Sequence, residues 1–325
     1  MYTKVTLSFF SFFLFSLTRI YIYIYILSVF KIQYIKKQER DHFLVVSMVQ
    51  SEILYSLSNG VATITLNRPS RGNALTLAMN QAILNLLPVL ASDPTVRVLI
   101  LTGAGRYFCT GMDLGAAINI GANNSPHSPS KQQEHNPSNG FQAGLDVFDA
   151  LYRFPKPLIA RINGPCLGGG VGLVFVADIR IATNTAYFAL TEVKRGIVPA
   201  IISQYLVPEL GSLRAREYML TGRQISTTEA HFLSAVVPQD QLDTKVQAYC
   251  QMLISSAPQA MADIKQLIHT VASRANPTND DNVRLEVNKV YTNMMQSDEA
   301  AYGIQAFLNK QTPDWTAYLK KKSKL

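Results

Sequence analysis

The sequence predicts an α/β protein with a layered core in its first half and a helical C-terminal part. Strand-like runs alternate with helix-length runs from about residue 50 onward, and a glycine-rich turn joins a strand to a helix mid-chain. Beyond about Ser203 the pattern is mostly helical.

Residues 53–57 and 61–66 are strand-like, and Asn59-Gly60 between them asks for a hairpin because both turn positions favour φ > 0. Asn67-Arg68-Pro69 reads as a loop. Thr76 is placed to N-cap a helix over 77–91, which Asp93-Pro94 breaks. Residues 96–102 form a buried strand ending at Gly103-Ala104-Gly105. Residues 116–140, rich in Asn, Ser, Pro and His and without periodicity, read as a mobile loop. A helix over 141–153 stops at Pro155-Lys156-Pro157, and 158–162 is a short strand. Residues 164–172 are glycine-rich, with helix continuing over 173–178. Strands follow at 179–182 and 186–190, and later helices open at Ala257-Pro258 and cover 299–309.

Hydrophobic residues make up 48% of the 325 and charged residues 16%, ample apolar material for a buried core. Half of the formal charge of +8 lies in residues 1–47, where Lys4, Arg19, Lys31, Lys36, Lys37 and Arg40 face only Glu39 and Asp41. What remains is an ordinary surface, mildly suited to an anionic ligand such as a nucleotide phosphate. No run of Lys/Arg interleaves with aromatics, which argues against nucleic-acid binding. Cys109, Cys166 and Cys250 are widely spaced, with no C-x-x-C, so neither a disulfide framework nor a metal site is expected. His231 and His269 sit in helix-like stretches and read as surface or packed residues.

The two ends carry addresses that disagree. Ser323-Lys324-Leu325, led in by Lys320, Lys321 and Lys322, matches a receptor-read peroxisomal signal. At the other end, the apolar runs flanking Arg19 are each shorter than the roughly 20 residues that cross a bilayer, and no A-x-A-like cleavage site follows the first. Met48, just before the first well-patterned strand, reads as the functional start; a membrane anchor is the alternative. The expected organisation is an apolar extension over 1–47, a core over 48–250, a helical region over 251–322 and the targeting tripeptide 323–325.

Two segments have the pattern of a site built from backbone N–H groups. Arg106-Tyr107-Phe108-Cys109-Thr110-Gly111-Met112-Asp113-Leu114 leaves a strand through a glycine turn. Asn163-Gly164-Pro165-Cys166-Leu167-Gly168-Gly169-Gly170-Val171-Gly172-Leu173 places four glycines at a strand-to-helix junction, where the first amide donors lack helical partners. Alone, such a turn suits tight helix–strand packing equally well, and it does not match the G-x-G-x-x-G of dinucleotide folds.

The order of these segments says more. Asn67-Arg68-Pro69…Asn73-Ala74-Leu75, Phe108…Gly111-Met112-Asp113-Leu114 and Ile162-Asn163-Gly164…Gly168-Gly169-Gly170 resemble the crotonase family, which includes enoyl-CoA hydratases and isomerases. The resemblance runs on through Ala177-Asp178-Ile179-Arg180-Ile181-Ala182, Phe188…Glu192…Gly196-Ile197-Val198-Pro199 and Leu220-Thr221-Gly222-Arg223-Gln224-Ile225 to Gly303…Ala306-Phe307-Leu308-Asn309-Lys310. It implies a spiral of repeated ββα units and a helical C-terminal region that assembles a homotrimer or hexamer. The substrate would be an acyl-CoA thioester, with coenzyme A part of that substrate and no separate cofactor or metal. Beside it, the expected partner is a peroxisomal import receptor. The oxyanion amides would be those of Met112 and Gly169. Substrate contacts would come from Arg68, Asn73, Ala74, Leu75, Thr110, Gly111, Met112, Asp113, Leu114, Gly168 and Gly169, with residues 68–75 against the nucleotide end of CoA.

Family hydratases commonly use two glutamates. One position falls on Glu192; the other falls on Gly172, where the acid is lost. Two carboxyls let one orient water while the other donates a proton; one carboxyl suffices to move a proton between carbons, as in isomerisation. Some hydratases of branched glutaconyl-type esters share Gly-Gly-Gly-Val-Gly-Leu and the Glu192 to Ala200 stretch, so hydration and isomerisation both stay open. The third acid of family dienoyl isomerases falls on Ala200, which argues against that activity. Lys194 and Arg195 read as solvated or phosphate-facing, and Asp113 as a cap for the turn after Gly111. The alternatives are a chain that binds acyl-CoA without turnover, prompted by Gly172, and an RNA-binding protein, prompted only by the basic charge.

Overall fold

A computed structural model describes residues 32–33, 44–48, 52–115, 137–273, 278 and 280–322. Most of the N-terminal extension, most of the 116–140 stretch and Ser323, Lys324 and Leu325 lie outside the described residues.

Strands β1 (Ile32–Gln33), β2 (Leu44–Met48), β3 (Ile53–Ser58), β4 (Val61–Leu66), β5 (Val98–Gly103), β6 (Leu158–Ile162), β8 (Ile179–Thr183) and β11 (Ala235–Val237) lie in that order in one sheet. Pairing is antiparallel from β1 to β4 and parallel from β4 onward. β7 (Cys166–Leu167), β9 (Tyr187–Ala189) and β10 (Ile225–Ser226) make a small second sheet. The β3–β4 hairpin turns at Asn59 (φ 49°) and Gly60 (φ 81°), the left-handed pair its Asn-Gly signal requires.

Parallel strands need crossovers, and helices supply them. α1 (Leu77–Ser92) connects β4 to β5, starting where the Thr76 side chain accepts the Met79 N–H at 3.0 Å. Its Met79, Ile83, Leu86, Leu87 and Leu90 form the buried stripe of an amphipathic helix. α2 (Pro137–Tyr152) precedes β6, and α3 (Gly169–Phe175) leads to β8. All six residues of β5 are buried, as expected of a strand covered on both faces. Leu99 and Leu101 join the main core, while Val98 and Ile100 pack with Leu242, Val246 and Cys250 of α5 (Leu242–Ile254) on the opposite face.

The C-terminal part is helical as expected: α4 (Ala200–Thr221), α5, α6 (Pro258–Ala272), α7 (Asp281–Met295), α8 (Asp298–Leu308) and α9 (Trp315–Lys322). Pro258 opens α6, and the buried Glu299 carboxylate of α8 accepts its first free amides, Gln259 N–H at 3.2 Å and Ala260 N–H at 2.9 Å. Lys265 of α6 reaches Asp178 at 2.6 Å, and the same Asp178 oxygen accepts the Leu158 N–H at 2.7 Å.

One boundary differs in a way that matters. The helix after the glycine run begins at Gly169 rather than Leu173, preceded by the short β7. Consecutive glycines read as turn from intrinsic propensity, but Gly170 and Gly172 lie inside the helix, where a β-carbon would lie 2.1 Å from Cys109 O and 2.2 Å from Ile202 Cγ2, respectively, so no larger residue fits.

Two buried asparagines hold the turn after β5. Asn73, fully buried at φ 55°, donates through Nδ2 to Ala104 O at 2.9 Å and Tyr107 O at 2.7 Å, and its Oδ1 accepts the Arg68 N–H at 2.9 Å. From the other side Asn163 accepts the Gly103 N–H at 3.1 Å and donates to Gly105 O at 2.9 Å. Removing one clasp leaves buried carbonyls unpaired and, at residue 73, a side chain ill-suited to the left-handed backbone. Asn73→Ala is therefore expected to destabilise the fold by about 2–4 kcal/mol, read as a lower denaturant midpoint at unchanged slope.

Candidate active site

Three strand exits meet at one place. Beyond β5, the chain reaches Cys109, which forms a parallel bridge with Cys166, and Leu167 N–H donates to Cys109 O at 2.9 Å. The two glycine-bearing segments thus run side by side. On its other edge the first segment pairs with the 72–75 stretch: Thr110 N–H to Gly72 O at 3.0 Å, Leu75 N–H to Gly111 O at 2.7 Å and Asp113 N–H to Leu75 O at 2.9 Å. That alternation turns the Met112 N–H away from the 72–75 stretch, toward the edge shared with the second segment. Gly168 N–H is fixed by Ala189 O of β9 at 2.9 Å, and the chain then enters α3, whose first amide, Gly169 N–H, has no helical acceptor. Among the described residues, neither the Met112 N–H nor the Gly169 N–H has a hydrogen-bond partner.

Glycine at 111 and 168 is what leaves these donors open. Gly111 has φ 91°, and a β-carbon on it would sit 2.9 Å from the Gly169 nitrogen, covering the donor. Gly168 has φ 49°, and a β-carbon there would sit 2.9 Å from Glu192 Oε1. The Glu192 carboxyl therefore lies against the residue next to the Gly169 amide. It is carried by a 3₁₀ turn (Thr191–Arg195) directly after β9, closed by Gly196 in the left-handed region. Glu192 Oε2 is buried without a partner among the described residues. Burial pushes the Glu192 carboxyl above the usual glutamate range, while its own backbone N–H and Arg195 pull the other way.

The structure thus brings the Met112 and Gly169 amides and the Glu192 carboxyl to one place through Gly111 and Gly168, with Thr110 and Asp113 on the same segment and Leu114 following in sequence. Asp113 behaves as a cap: it accepts the Gly115 N–H at 3.1 Å and pairs with Arg68 at 2.9 Å. Lys194 and Arg195 are exposed. The side chains of the 68–75 stretch, where CoA contacts are expected, are largely engaged within the fold. Asn73, Ala74 and Leu75 are buried, with the Asn73 amide engaged in the turn clasp. The Arg68 guanidinium is occupied by Glu52 at 3.1 Å, Asp113 at 2.9 Å and Ala74 O at 2.6 Å. The cation this stretch presents to solvent is Arg71, which no sequence motif sets apart from Arg68, because only tertiary burial separates them. Asn163 stands in a motif of the sequence, and its role as a clasp shows only when the turn closes. Among the described residues no cluster of His, Cys, Asp or Glu could hold a metal ion.

Comparison with known proteins gives a consistent result. Residues 56–318 match the family described as enoyl-CoA hydratase/isomerase. An enoyl-CoA hydratase of Alternaria alternata is 34% identical over 252 residues, covering 76% of this chain and 78% of that protein. A carnitinyl-CoA dehydratase of Salmonella typhi is 34% identical over 275 residues, covering 82% and 98%. Among solved structures, an enoyl-CoA hydratase of Mycobacterium smegmatis superposes with a TM-score of 0.72 at 28% identity, over 82% of this chain and all of that one. The chain belongs to the enoyl-CoA hydratase/isomerase family.

Proposed function

We propose that the chain binds an acyl-CoA thioester with its carbonyl oxygen between Met112 N–H and Gly169 N–H, and that Glu192 moves protons at the carbons beside it. One observation carries this reading: two partnerless amides on adjoining segments stand beside a carboxyl with a buried, partnerless oxygen. Charge gathers on the carbonyl oxygen when a neighbouring C–H bond breaks or when water adds at the β-carbon. Donors already aimed at that oxygen are each worth about 3–4 kcal/mol of barrier. A carboxyl raised by burial is a stronger base when ionised and, once protonated, holds the proton ready to return to substrate. The names of the relatives, a hydratase and a dehydratase of CoA thioesters, fit the same chemistry. They lend no support to a non-catalytic acyl-CoA binder or an RNA-binding protein.

Arg71, exposed at the edge of the 68–75 stretch, supplies a cation for the phosphates of CoA. Exposed Ile264 and Ile268 of α6, Leu285 and Tyr291 of α7, and Ile304 and Phe307 of α8 support assembly through the C-terminal helices. Light scattering is expected to show three or six copies; a monomer at micromolar concentration would refute that assembly.

Glu192→Gln is expected to lower kcat/KM for enoyl-CoA esters about 10²–10⁴-fold. Acyl-CoA affinity by calorimetry should be retained, and the unfolding midpoint should be no lower, because a buried charge is removed. Gly111→Ala, which covers the Gly169 donor, is expected to cost about 10²–10³-fold in kcat. An unimpaired, fully folded Gly111→Ala enzyme would exclude the amide pair.

The pH dependence follows from the raised Glu192 carboxyl. Proton abstraction needs the carboxylate, so kcat/KM should rise with pH through a limb lying above that of a solvated glutamate, and Glu192→Gln should remove the limb. Because the folded-state value is the raised one, the group's contribution to stability is present at low pH and is lost across the same window.

A further inference from the structure

Glu192 rides on a short 3₁₀ turn, and the geometry of that turn sorts the charges around it. Side chains three apart in a 3₁₀ helix eclipse one another. Within Thr191–Arg195 this stacks Arg195 over Glu192 and Lys194 over Thr191. Lys194 is drawn to the far side. With Val193 it lies against Gly222, the left-handed residue that closes α4, where a β-carbon would stand 3.1 Å from Val193 Cγ1 and 3.3 Å from Lys194 Cε. Arg195 stays with the turn: its Nη1 donates to Thr191 O at 3.2 Å, folding the exposed side chain back toward the residue before Glu192.

The other elements packed around the carboxyl offer it no counter-charge among the described residues. α3 carries no ionisable residue. Cys109 and Cys166, on the two glycine-bearing segments, are thiols kept protonated by burial. Asp113 is paired with Arg68 at 2.9 Å. On α4, Glu209 pairs with Arg180 and Glu217 with Arg223, each at 2.5 Å. On α2, Asp149 pairs with Arg153 at 2.7 Å and Asp146 accepts from Gln142 at 2.6 Å. Arg195 is the charged side chain that acts on Glu192, and it pulls against the larger effect of burial. It does so while leaving Oε2 without a partner. A contact ion pair would occupy the oxygen that must take the substrate's proton. A charge set off from that oxygen favours the carboxylate and leaves it free to react.

We propose that Arg195 is a positioning residue for Glu192: from the same face of the 3₁₀ turn, its guanidinium supplies the counter-charge for the reacting carboxylate without covering it. This rests on the reading of Glu192 as the proton-moving group. Arg195 itself touches neither the thioester nor the reacting carbons; it sets the fraction of enzyme whose Glu192 is ready to abstract a proton.

The test follows kcat/KM for an enoyl-CoA ester against pH in the full-length enzyme. Without the guanidinium the carboxylate is harder to form. Arg195→Gln should therefore carry the rising limb to higher pH by about half a pH unit or more, a loss of about threefold or more on its acid side. The alkaline plateau should be kept, because there Glu192 is ionised with or without Arg195. Arg195→Lys, which restores the charge, should return the limb toward its wild-type position. Since Arg195 is exposed, salt should act as the substitution does. Between about 0.01 M and about 1 M ionic strength the wild-type limb should drift upward, and that of Arg195→Gln should stay in place. The lysine variant and the wild-type salt series serve if the glutamine variant does not fold. A limb unmoved in folded Arg195→Gln, or a wild-type limb indifferent to salt, overturns the proposal. So does a plateau that falls while the limb stays, the mark of a merely structural role. If Glu192→Gln still abolishes the limb, only this inference falls; if the limb survives Glu192→Gln, the reading of the site falls with it.

Discussion

Everything at the site depends on one piece of backbone pairing, the parallel run of the Cys109 segment beside the Cys166 segment. A strand in a parallel ladder spends its N–H groups alternately on its two neighbours. In the first segment the amides at 110 and 113 donate to the 72–75 stretch and the one at 111 to the Cys109 sulfur, while the one at 112 has no partner among the described residues. The second segment leaves its ladder by entering a helix, and the first amide of any helix lacks an internal acceptor. Neither open donor is a defect of packing. Each is what remains when two regular elements end beside each other.

The same geometry explains why a carboxylate is tolerated there. Glu192 is delivered by a tight 3₁₀ turn at the end of β9, whose register is fixed by pairing with β7, and it rests on a residue without a side chain. The burial that raises its protonation threshold is therefore set by the sheet, not by a flexible loop. Cys109 and Cys166, both fully buried with thiols pushed up by burial, contribute packing and no nucleophile.

Much of this was legible in the residue order. Asn59-Gly60 announced its hairpin, Thr76 its helix, and the sequence from Asn67 to Lys310 the family. The glycines at 111 and 168 could be named in advance because their requirement is local: a backbone conformation or an amide left uncovered. What could not be read was any role that depends on convergence. Asn73 looks like a ligand contact in a motif and is a buried clasp. Arg68 and Arg71 look interchangeable until burial assigns one to an ion-pair network and the other to solvent. The helix start at Gly169 hides behind glycine's poor helix propensity, and the approach of Phe148 and Ile202 to Gly172 joins three segments that share no sequence signal.

The link between Lys265 and Asp178 has a consequence for how the molecule comes apart. Asp178 sits at the entrance to β8 and also receives the first amide of β6, while Lys265 is mostly buried on a helix of the C-terminal part. If that helix detached, the carboxylate would lose its counter-charge at the very edge of the strands that position the glycine segments, and the lysine's apolar stem would be stranded in water. Detaching that helix and loosening the strands that lead to the glycine segments are therefore coupled through Asp178. One ion pair thus makes the edge of the sheet sensitive to the docking of a helix far along the chain.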